Sequence, residues 1–242
     1  MQTTEGMIIK MSVNIEKNLK KVYDNIEKNA EKANRDPSDI QLVAVGKNHP
    51  PKKIISAMKA GHYVFGENRV QELLDKNELF FDQEIKWHFI GHLQKNKVKY
   101  LMKIKQLDMI ESIDSIEIAK AVNKEAKEAE RNIKVLLQVN IAEDPNKFGF
   151  SKENITEAID EVSQLDNIIL AGLMTITPYY NEAEAARDDY KKMKQLLDEL
   201  NQKSYNLQEL SMGMSNDYHV AVQEGATIVR VGTAIFGKRK YY

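Results

Sequence analysis

The chain has 242 residues, 42% of them hydrophobic, and its 35 Lys and Arg residues nearly balance 36 Asp and Glu residues, for a net charge of −1. This balance excludes a general electrostatic attraction to nucleic acid or to an anionic membrane surface. Cysteine is absent, which excludes disulfide bonds and thiolate metal sites, and no apolar stretch reaches the roughly 20 residues of a membrane-spanning helix. We therefore expect a cytoplasmic protein.

The first predicted element is an amphipathic helix, whose apolar residues recur at spacings of three or four. These residues are Ile15, Leu19, Val22, Ile26 and Ala30. The segment Asn34-Arg-Asp-Pro37 ends the pattern. Residues 1–10 precede it, and because Met11 could be an alternative start, we expect them to form a flexible extension with little structural role.

From residue 41 onward, short apolar runs alternate with amphipathic helical segments. The predicted strands are 41–47, 62–66, 86–90, 109–113, 134–141, 168–175, 207–211 and 227–231. The predicted helices between them are 51–60, 69–79, 95–104, 115–131, 152–165, 182–202 and 216–224. This alternation favours a parallel sheet, and eight repeats favour a closed (β/α)8 TIM barrel with an additional N-terminal helix.

An open, doubly wound sheet is the structural alternative. No Gly-x-Gly-x-x-Gly motif follows the first predicted strand, which weakens the dinucleotide-binding form of that alternative. No linker or low-complexity tract divides the chain, so residues 1–242 are expected to form a single domain.

Lys47 ends the first predicted strand, and Pro50-Pro51 stops the run shortly afterwards. A lysine at the mouth of a buried strand can lose hydration, which favours its neutral form. The neutral amine is the form that condenses with an aldehyde to give a Schiff base. An ordinary solvated lysine is the alternative.

Glycine turns follow the seventh and eighth predicted strands, in Ser211-Met-Gly-Met-Ser215 and in Val231-Gly-Thr233. Backbone N–H groups in such turns can approach a phosphate, and the start of the next helix adds a favourable dipole. Ser215 is predicted to be the N-cap of the helix at 216–224, with a hydroxyl that could also reach an anion. Barrels often bind phosphate between these two loops, so the pair favours a phosphate site over two ordinary capped turns.

Arg230 lies within an otherwise apolar run, and a buried arginine requires an anion, a carboxylate or an acceptor atom of a ligand. A salt bridge inside the barrel is the alternative. His88 and His92 straddle a strand end rather than sharing one face of a helix, so we expect no metal site. Amine, phosphate turns, arginine and nearby methionines together indicate pyridoxal 5′-phosphate (PLP), which offers an aldehyde, a phosphate, a flat ring and a ring nitrogen.

Longer motifs resemble those of the pyridoxal-phosphate homeostasis protein family, whose members have a fold-type III barrel like the N-terminal domain of alanine racemase. The most specific are Phe65-Gly-Glu-Asn68, Trp87-His-Phe-Ile-Gly-His-Leu-Gln94, Leu210-Ser-Met-Gly-Met-Ser215 and Val229-Arg-Val-Gly-Thr-Ala-Ile-Phe-Gly237. The resemblance extends from Leu42 to Tyr241. It departs from the family at Gly46, where Ser is usual, and at Asn48-His-Pro50, where Thr-Lys-Pro is usual.

The resemblance implies that Lys47 carries PLP covalently as an internal aldimine. Arg230 would contact either the ring nitrogen or the phosphate, and the racemase precedent favours the nitrogen. The other implied cofactor-binding residues are Asn68 near the ring, Met174 in the wall, and Ser211, Ser215, Gly232 and Thr233 around the phosphate.

The implied function is non-catalytic: a PLP-binding protein that buffers or delivers the cofactor in vitamin B6 homeostasis, with PLP-dependent apo-enzymes as candidate recipients. A PLP-dependent amino-acid racemase is one alternative, and a phosphosugar enzyme with Lys47 as an aldolase-like Schiff-base lysine is another. In alanine racemases the opposing tyrosine comes from a C-terminal β domain. The sequence ends at Tyr242, soon after Gly232, so we expect no such domain and a monomer.

Overall fold

A computed structural model describes residues 4–238, with side chains described from Ile15 onward. The strands are β1 (Gln41–Val45), β2 (Val64–Glu67), β3 (Lys86–Phe89), β4 (Leu107–Ile113), β5 (Ile133–Gln138), β6 (Ile168–Met174), β7 (Glu209–Met214) and β8 (Ile228–Val231). The helices are α1 (Thr4–Lys32), α2 (Pro51–Lys59), α3 (Val70–Glu78), α4 (Val98–Leu101), α5 (Ile116–Glu128), α6 (Ile155–Val162), α7 (Arg187–Gln202), α8 (Tyr218–Gln223) and α9 (Thr233–Phe236).

All eight strands pair in parallel with their sequence neighbours, and β1 also pairs with β8, which closes the barrel. The predicted TIM barrel with an additional N-terminal helix is therefore confirmed, and the open sheet is wrong. Because every strand runs in the same direction, all the carboxyl ends meet at one rim. The segments that follow the strands, including the turn with Lys47, are gathered there.

Helix boundaries differ from the predicted ones mainly where a helix is preceded by a 3₁₀ turn. The predicted helix at 95–104 is a 3₁₀ turn, Lys95–Lys97, followed by α4. The predicted helix at 182–202 likewise begins with a 3₁₀ turn, Ala183–Ala186, before α7. The short helix α9 follows β8 and lay outside the predicted helices. Such tight turns at helix starts have no apolar periodicity of their own.

Apolar side chains on opposite faces of the strands form two separate clusters. The larger cluster fills the space between the barrel and its helices, with Phe65, Trp87 and Phe89 fully buried in it. A smaller inner cluster occupies the barrel interior and consists of Val43, Met109, Leu136, Met174 and Ile228. Successive strand residues point to opposite faces, so β1, β4, β5, β6 and β8 each contribute buried side chains to both clusters.

Helix α1 lies against α2, α8 and α9. Its buried face is the predicted apolar stripe from Ile15 to Ala30, and Asn18 donates a hydrogen bond to the Ile235 carbonyl, 2.9 Å away. The expectation of a flexible extension at 1–10 stays a prediction, since residues 1–3 lie outside the described part and residues 4–10 are assigned to α1. Within residues 4–238, no helix is both long and apolar enough to span a bilayer.

Gly172 marks a point where β6 and β7 approach too closely for any side chain. A Cβ atom there would lie 1.9 Å from the Glu209 carbonyl oxygen. We expect Gly172→Ala to lower the free energy of unfolding by about 3 kcal/mol, because the colliding atom belongs to the neighbouring strand's backbone.

Urea denaturation checks this expectation. Gly61→Ala is the matched control, since Gly61 has a φ of +85° but no atom within 4 Å of the added carbon. It should cost only about 1 kcal/mol, the conformational penalty without the collision. Equal losses for the two variants would contradict the steric explanation.

Candidate functional site

A cavity of about 680 Å³ opens at the carboxyl rim of the barrel. Its lining includes five of the residues singled out in the sequence: Lys47, Ser215, Arg230, Gly232 and Thr233. The other lining residues are Val45, Ile90, Ile176, Thr177, Pro178, Tyr179, Tyr180, Met214, Asn216, Asp217 and Lys238. The barrel thus brings an amine, a guanidinium and glycine-turn amides to one concave surface, although they are up to 186 residues apart in sequence (233 − 47).

The turn that carries Lys47 is fixed from both sides by helix α3. Lys76 Nζ donates to the Gly46 carbonyl at 2.9 Å, and the Asn48 N–H donates to Glu72 Oε1 at 2.6 Å. Lys76 Nζ also contacts Glu67 Oε1 at 2.5 Å and Glu72 Oε1 at 2.7 Å. The residues before and after Lys47 are therefore held by one buried charge cluster.

Glu67 is the most deeply buried member of that cluster. Burial raises the pKa of Glu67 to about 7, and the attraction of Lys76 opposes the rise only in part. The space beside this carboxylate also accounts for Gly46. A Cβ atom at position 46 would lie 2.7 Å from Ile54 Cδ1 and 3.0 Å from Glu67 Oε1. A side chain at position 46 would therefore require the Ile54 or Glu67 side chain to move.

Ser215 bridges the two glycine turns, but not as predicted. Helix α8 begins at Tyr218 with Asp217 as its N-cap residue, so the predicted capping of this helix by Ser215 is wrong. The Ser215 hydroxyl instead accepts from the N–H groups of Gly232 at 3.1 Å and Ala234 at 3.4 Å. The cause is local: Asp217 Oδ1 accepts from the Met214 N–H at 2.7 Å, which leaves Ser215 turned toward the next loop.

Arg230 lies at the inner end of the cavity and is 4% exposed. Its Nη1 donates to Ser211 Oγ at 2.5 Å, and its Nη2 donates to the Thr175 carbonyl at 2.7 Å. The Ser211 hydroxyl in turn donates to Glu111 Oε2 at 2.5 Å, and the guanidinium itself lies 3.7 Å from that oxygen. Burial lowers the pKa of Arg230, and the charge of Glu111 opposes this effect.

His88 stands behind Glu111 and is fully buried. Its Nδ1 lies 2.6 Å from Glu111 Oε1, and its Nε2 is 3.5 Å from Asp108 Oδ2. Burial alone would lower the pKa of His88, but the contacts with Asp108 and Glu111 outweigh it and raise the pKa to about 9. Protonated His88 balances the negative charge of Glu111, whose pKa is lowered by His88 and Arg230 in spite of its burial.

Three predicted residues do not line the cavity. Ser211 and Met174 lie inside the barrel, the first hydrogen-bonded to Glu111 and the second in the inner cluster. Asn68 is half-buried after β2, and its Oδ1 is buried without a hydrogen-bond partner among the described residues. Gly91 lies so near that a Cβ there would be 2.1 Å from the Asn68 carbonyl oxygen.

Sequence reasoning missed Glu111 and the role of His88. His88 was weighed only as a metal ligand, but it contacts Glu111 while His92 Nδ1 contacts Asp114 Oδ2 at 2.7 Å. The available signal was Glu111 itself, a carboxylate within the apolar strand Met109–Ile113. Since a buried carboxylate requires a cationic partner, Glu111 and Arg230 could have been paired from sequence.

The chain is similar to known proteins over most of its length. Residues 18–240 match the family profile described as alanine racemase, N-terminal domain. The pyridoxal phosphate homeostasis protein of Aquifex aeolicus is 43% identical over 225 residues, which is 92% of this chain and 97% of that protein.

Solved structures agree with the sequence matches. PipY from Synechococcus elongatus PCC7942, with PLP bound, is 36% identical with a TM-score of 0.76, over 88% of this chain and 100% of that chain. Alanine racemase from Clostridium difficile 630 is 19% identical with a TM-score of 0.69, over 93% of this chain and 56% of that chain. The racemase likeness shows a shared barrel fold.

The charge state of His88 predicts how stability depends on pH. The pKa of His88 in the folded protein, about 9, lies above the ordinary value of 6.5. The protonated imidazole therefore contributes stability that is complete below pH 6.5 and is lost as the pH rises through 9. The shift corresponds to roughly 3 kcal/mol at most.

Urea titrations above pH 8 isolate this contribution, because Glu67, with a pKa of about 7, is then almost fully ionised. We expect the free energy of unfolding of the wild type to fall as the pH rises from 8 through 9, and His88→Gln to flatten that slope. His62→Gln is the control, since burial lowers the pKa of His62 to about 4 and it stays neutral throughout. A slope unchanged by His88→Gln would refute the charge assignment.

Proposed function

Because the chain belongs to the family of pyridoxal phosphate homeostasis proteins, we propose that its cavity binds PLP and that the protein buffers or delivers this cofactor in intracellular vitamin B6 homeostasis. One observation carries the proposal: Lys47, Arg230 and the amide of Gly232 belong to the same cavity. A single molecule with an aldehyde, a phosphate and an aromatic ring could reach all three.

The cavity fits such a molecule in size and chemistry. Its volume of about 680 Å³ lies within the range of small-molecule sites. One side supplies a lysine amine and another supplies hydrogen-bond donors for an anion, at Ser215, Gly232 and Thr233.

In this proposal Lys47 holds PLP through a covalent bond. PLP supplies an aldehyde, whose oxygen leaves as water when the Lys47 nitrogen takes its place on the carbon. The α3 charge cluster holds Gly46 and Asn48, which limits the positions that the Lys47 backbone can take. Ser215, Gly232 and Thr233 would hold the phosphate, while Arg230 would donate to the ring nitrogen or the phosphate. Met174 and Ser211 would support the site from inside the barrel.

We propose that the protein acts as a carrier rather than a catalyst. Racemisation requires an acid or base on each face of the reacting carbon. The cavity does contain tyrosines, but Tyr180 donates to Asp189 Oδ2 at 2.8 Å. Burial and the hydrogen bond to Asp189 raise the pKa of Tyr180 to about 12, which suits a fixed phenol better than a group that exchanges protons near neutral pH. Tyr179 is 84% exposed and lacks the confinement of a catalytic residue.

The remaining parts of the proposal concern partners and location. PLP-dependent apo-enzymes are the proposed recipients of the cofactor, and the proposed working form is a cytoplasmic monomer. The recipients and the location follow from the role of a buffer, which must meet soluble recipients and release its ligand to them.

Lys47→Ala should abolish the covalent attachment. We expect wild-type protein mixed with PLP to gain the visible absorption of a Schiff base and, after borohydride reduction, a fixed mass of one pyridoxyl phosphate group on the peptide containing Lys47. The variant should show neither, because Lys47 is the amine that the proposal assigns to the aldehyde. Lys238, the other lysine of the cavity lining, is the next candidate if an adduct remains. Lys52→Ala, at an exposed lysine of α2, is the control and should behave as wild type. A fixed adduct in the Lys47 variant would show that another lysine reacts.

Thr233→Val should separate the phosphate contact from the rest of the site. Thr233 is exposed at the cavity wall, so the isosteric change removes a hydroxyl with little effect on packing. We expect the affinity for PLP to fall roughly tenfold, the worth of one hydrogen bond to a charged group, while the affinity for pyridoxal, which lacks the phosphate, stays the same. Equilibrium absorption titrations measure both. An equal loss for both ligands would place Thr233 away from the phosphate.

A further inference from the structure

A continuous chain of polar side chains crosses the barrel interior from one rim to the other. It begins at Asp108, the second residue of β4, whose side chain is 29% exposed near the amino ends of the strands. His88, Glu111 and Ser211, all fully buried, follow in turn. It ends at Arg230, which forms part of the cavity. The hydrogen bonds from His88 through Glu111 and Ser211 to Arg230 are 2.6, 2.5 and 2.5 Å long. Asp108 Oδ2 lies 3.5 Å from His88 Nε2 as a charge pair without a hydrogen bond.

The chain alternates in charge, which makes its members depend on one another. Asp108 and Glu111 are negative, while His88 and Arg230 are positive, so the four charges sum to zero. Removing one of the buried members would leave its neighbour without a partner, and an uncompensated buried charge is strongly unfavourable. Each residue is therefore held in its charge state by the next one.

Stability alone gives little reason for this arrangement. The inner cluster shows that apolar side chains fill the same barrel interior, and Met109 lies on the same face of β4 as Glu111, two residues away. Buried ion pairs often contribute no more stability than apolar residues of similar volume. The chain does, however, fix a direction: it holds the Arg230 guanidinium at Nη1 through Ser211 and at Nη2 through the Thr175 carbonyl.

A guanidinium carries five N–H hydrogens in a planar fork. Fixing both terminal nitrogens from inside the barrel sets the plane of the fork and leaves other hydrogens for an acceptor in the cavity. Glu111 is never in the cavity wall itself, yet the orientation of Arg230 toward that space depends on it through Ser211.

We propose that Glu111 and His88 are positioning residues of the cofactor site, which act through Ser211 to fix the direction and charge of Arg230 toward the acceptor atom of bound PLP. This inference rests on the proposed function. It assigns to the barrel interior a part in ligand recognition, and it predicts that residues remote from the cavity change the environment of the ligand.

Two substitutions test the proposal, with PLP affinity and the absorption maximum of the bound cofactor as readouts. Glu111→Gln should weaken PLP binding by about tenfold or more, and His88→Gln should act in the same direction. A shift of the absorption maximum in these variants would place Arg230 at the ring nitrogen, and weaker binding with an unchanged maximum would place it at the phosphate. In the double variant, the second change should add little, since residues of one hydrogen-bonded network act non-additively.

Two matched controls separate this effect from general destabilisation. Glu209→Gln changes a strand carboxylate that accepts from Thr227 Oγ1 at 2.6 Å and does not belong to the chain of polar side chains. His62→Gln changes another buried histidine, whose Nε2 contacts the Val64 carbonyl at 2.6 Å. Both controls should keep wild-type affinity and absorption. If Glu111→Gln does not fold, His88→Gln and Ser211→Ala still test whether the polar side chains position Arg230.

Ring-nitrogen NMR of the wild type gives an independent readout. Adding PLP should shift the His88 resonances, although His88 lies outside the cavity wall, and should leave those of His62 unchanged. Wild-type affinity and absorption in both variants, or additive losses in the double variant, would overturn the proposal while leaving PLP binding intact. A wild type that binds no PLP would instead overturn the proposed function, and the inference with it.

Discussion

A cation buried inside a closed barrel is the constraint on which the rest of the site depends. Arg230 is almost inaccessible to water, so its charge must be met by protein groups. Glu111 meets it through Ser211, and the charge of Glu111 is in turn met by His88. Of these charged residues, Arg230 lines the cavity, while Glu111 and His88 lie behind it in the barrel interior. The barrel thus uses its interior for orientation as well as for packing.

The turn with Lys47 is supported in a similar way but from the outside. Its flanking residues, Gly46 and Asn48, are tied to Lys76 and Glu72 of helix α3. Two reactive features of the cavity therefore have separate supports, one inside the barrel and one between the barrel and a helix. Since the two supports share no residue, a substitution in helix α3 can change the position of the Lys47 amine without moving the Arg230 guanidinium.

The sequence contained most of the fold and part of the site. Strand and helix alternation predicted the barrel because each strand end is marked by a change of periodicity, and the rim then placed Lys47, Arg230 and Gly232 together. Pairings across the barrel were harder to foresee. The charge of Glu111 indicates a cationic partner, but Ser211 is 100 residues away and nothing in its local pattern indicates that it lies between Glu111 and Arg230. The N-cap prediction for Ser215 was wrong because the helix begins two residues later, after Asp217, and the Ser215 hydroxyl accepts from amides of the following loop instead.

The hydroxyl of Ser215 has a consequence for how an anion would enter and leave. In the structure it already accepts from the Gly232 and Ala234 amides, so both donors have a hydrogen-bond partner before any anion binds. In the proposed phosphate site, an anion bound at those amides would replace the Ser215 oxygen as their acceptor, and the Ser215 hydroxyl could then donate its own hydrogen to the anion. Because one hydrogen-bonded arrangement would replace another, the net gain in binding free energy would be small and the anion could be released again. A site whose hydrogen bonds are satisfied both with and without the anion suits the proposed role of a carrier that releases its ligand.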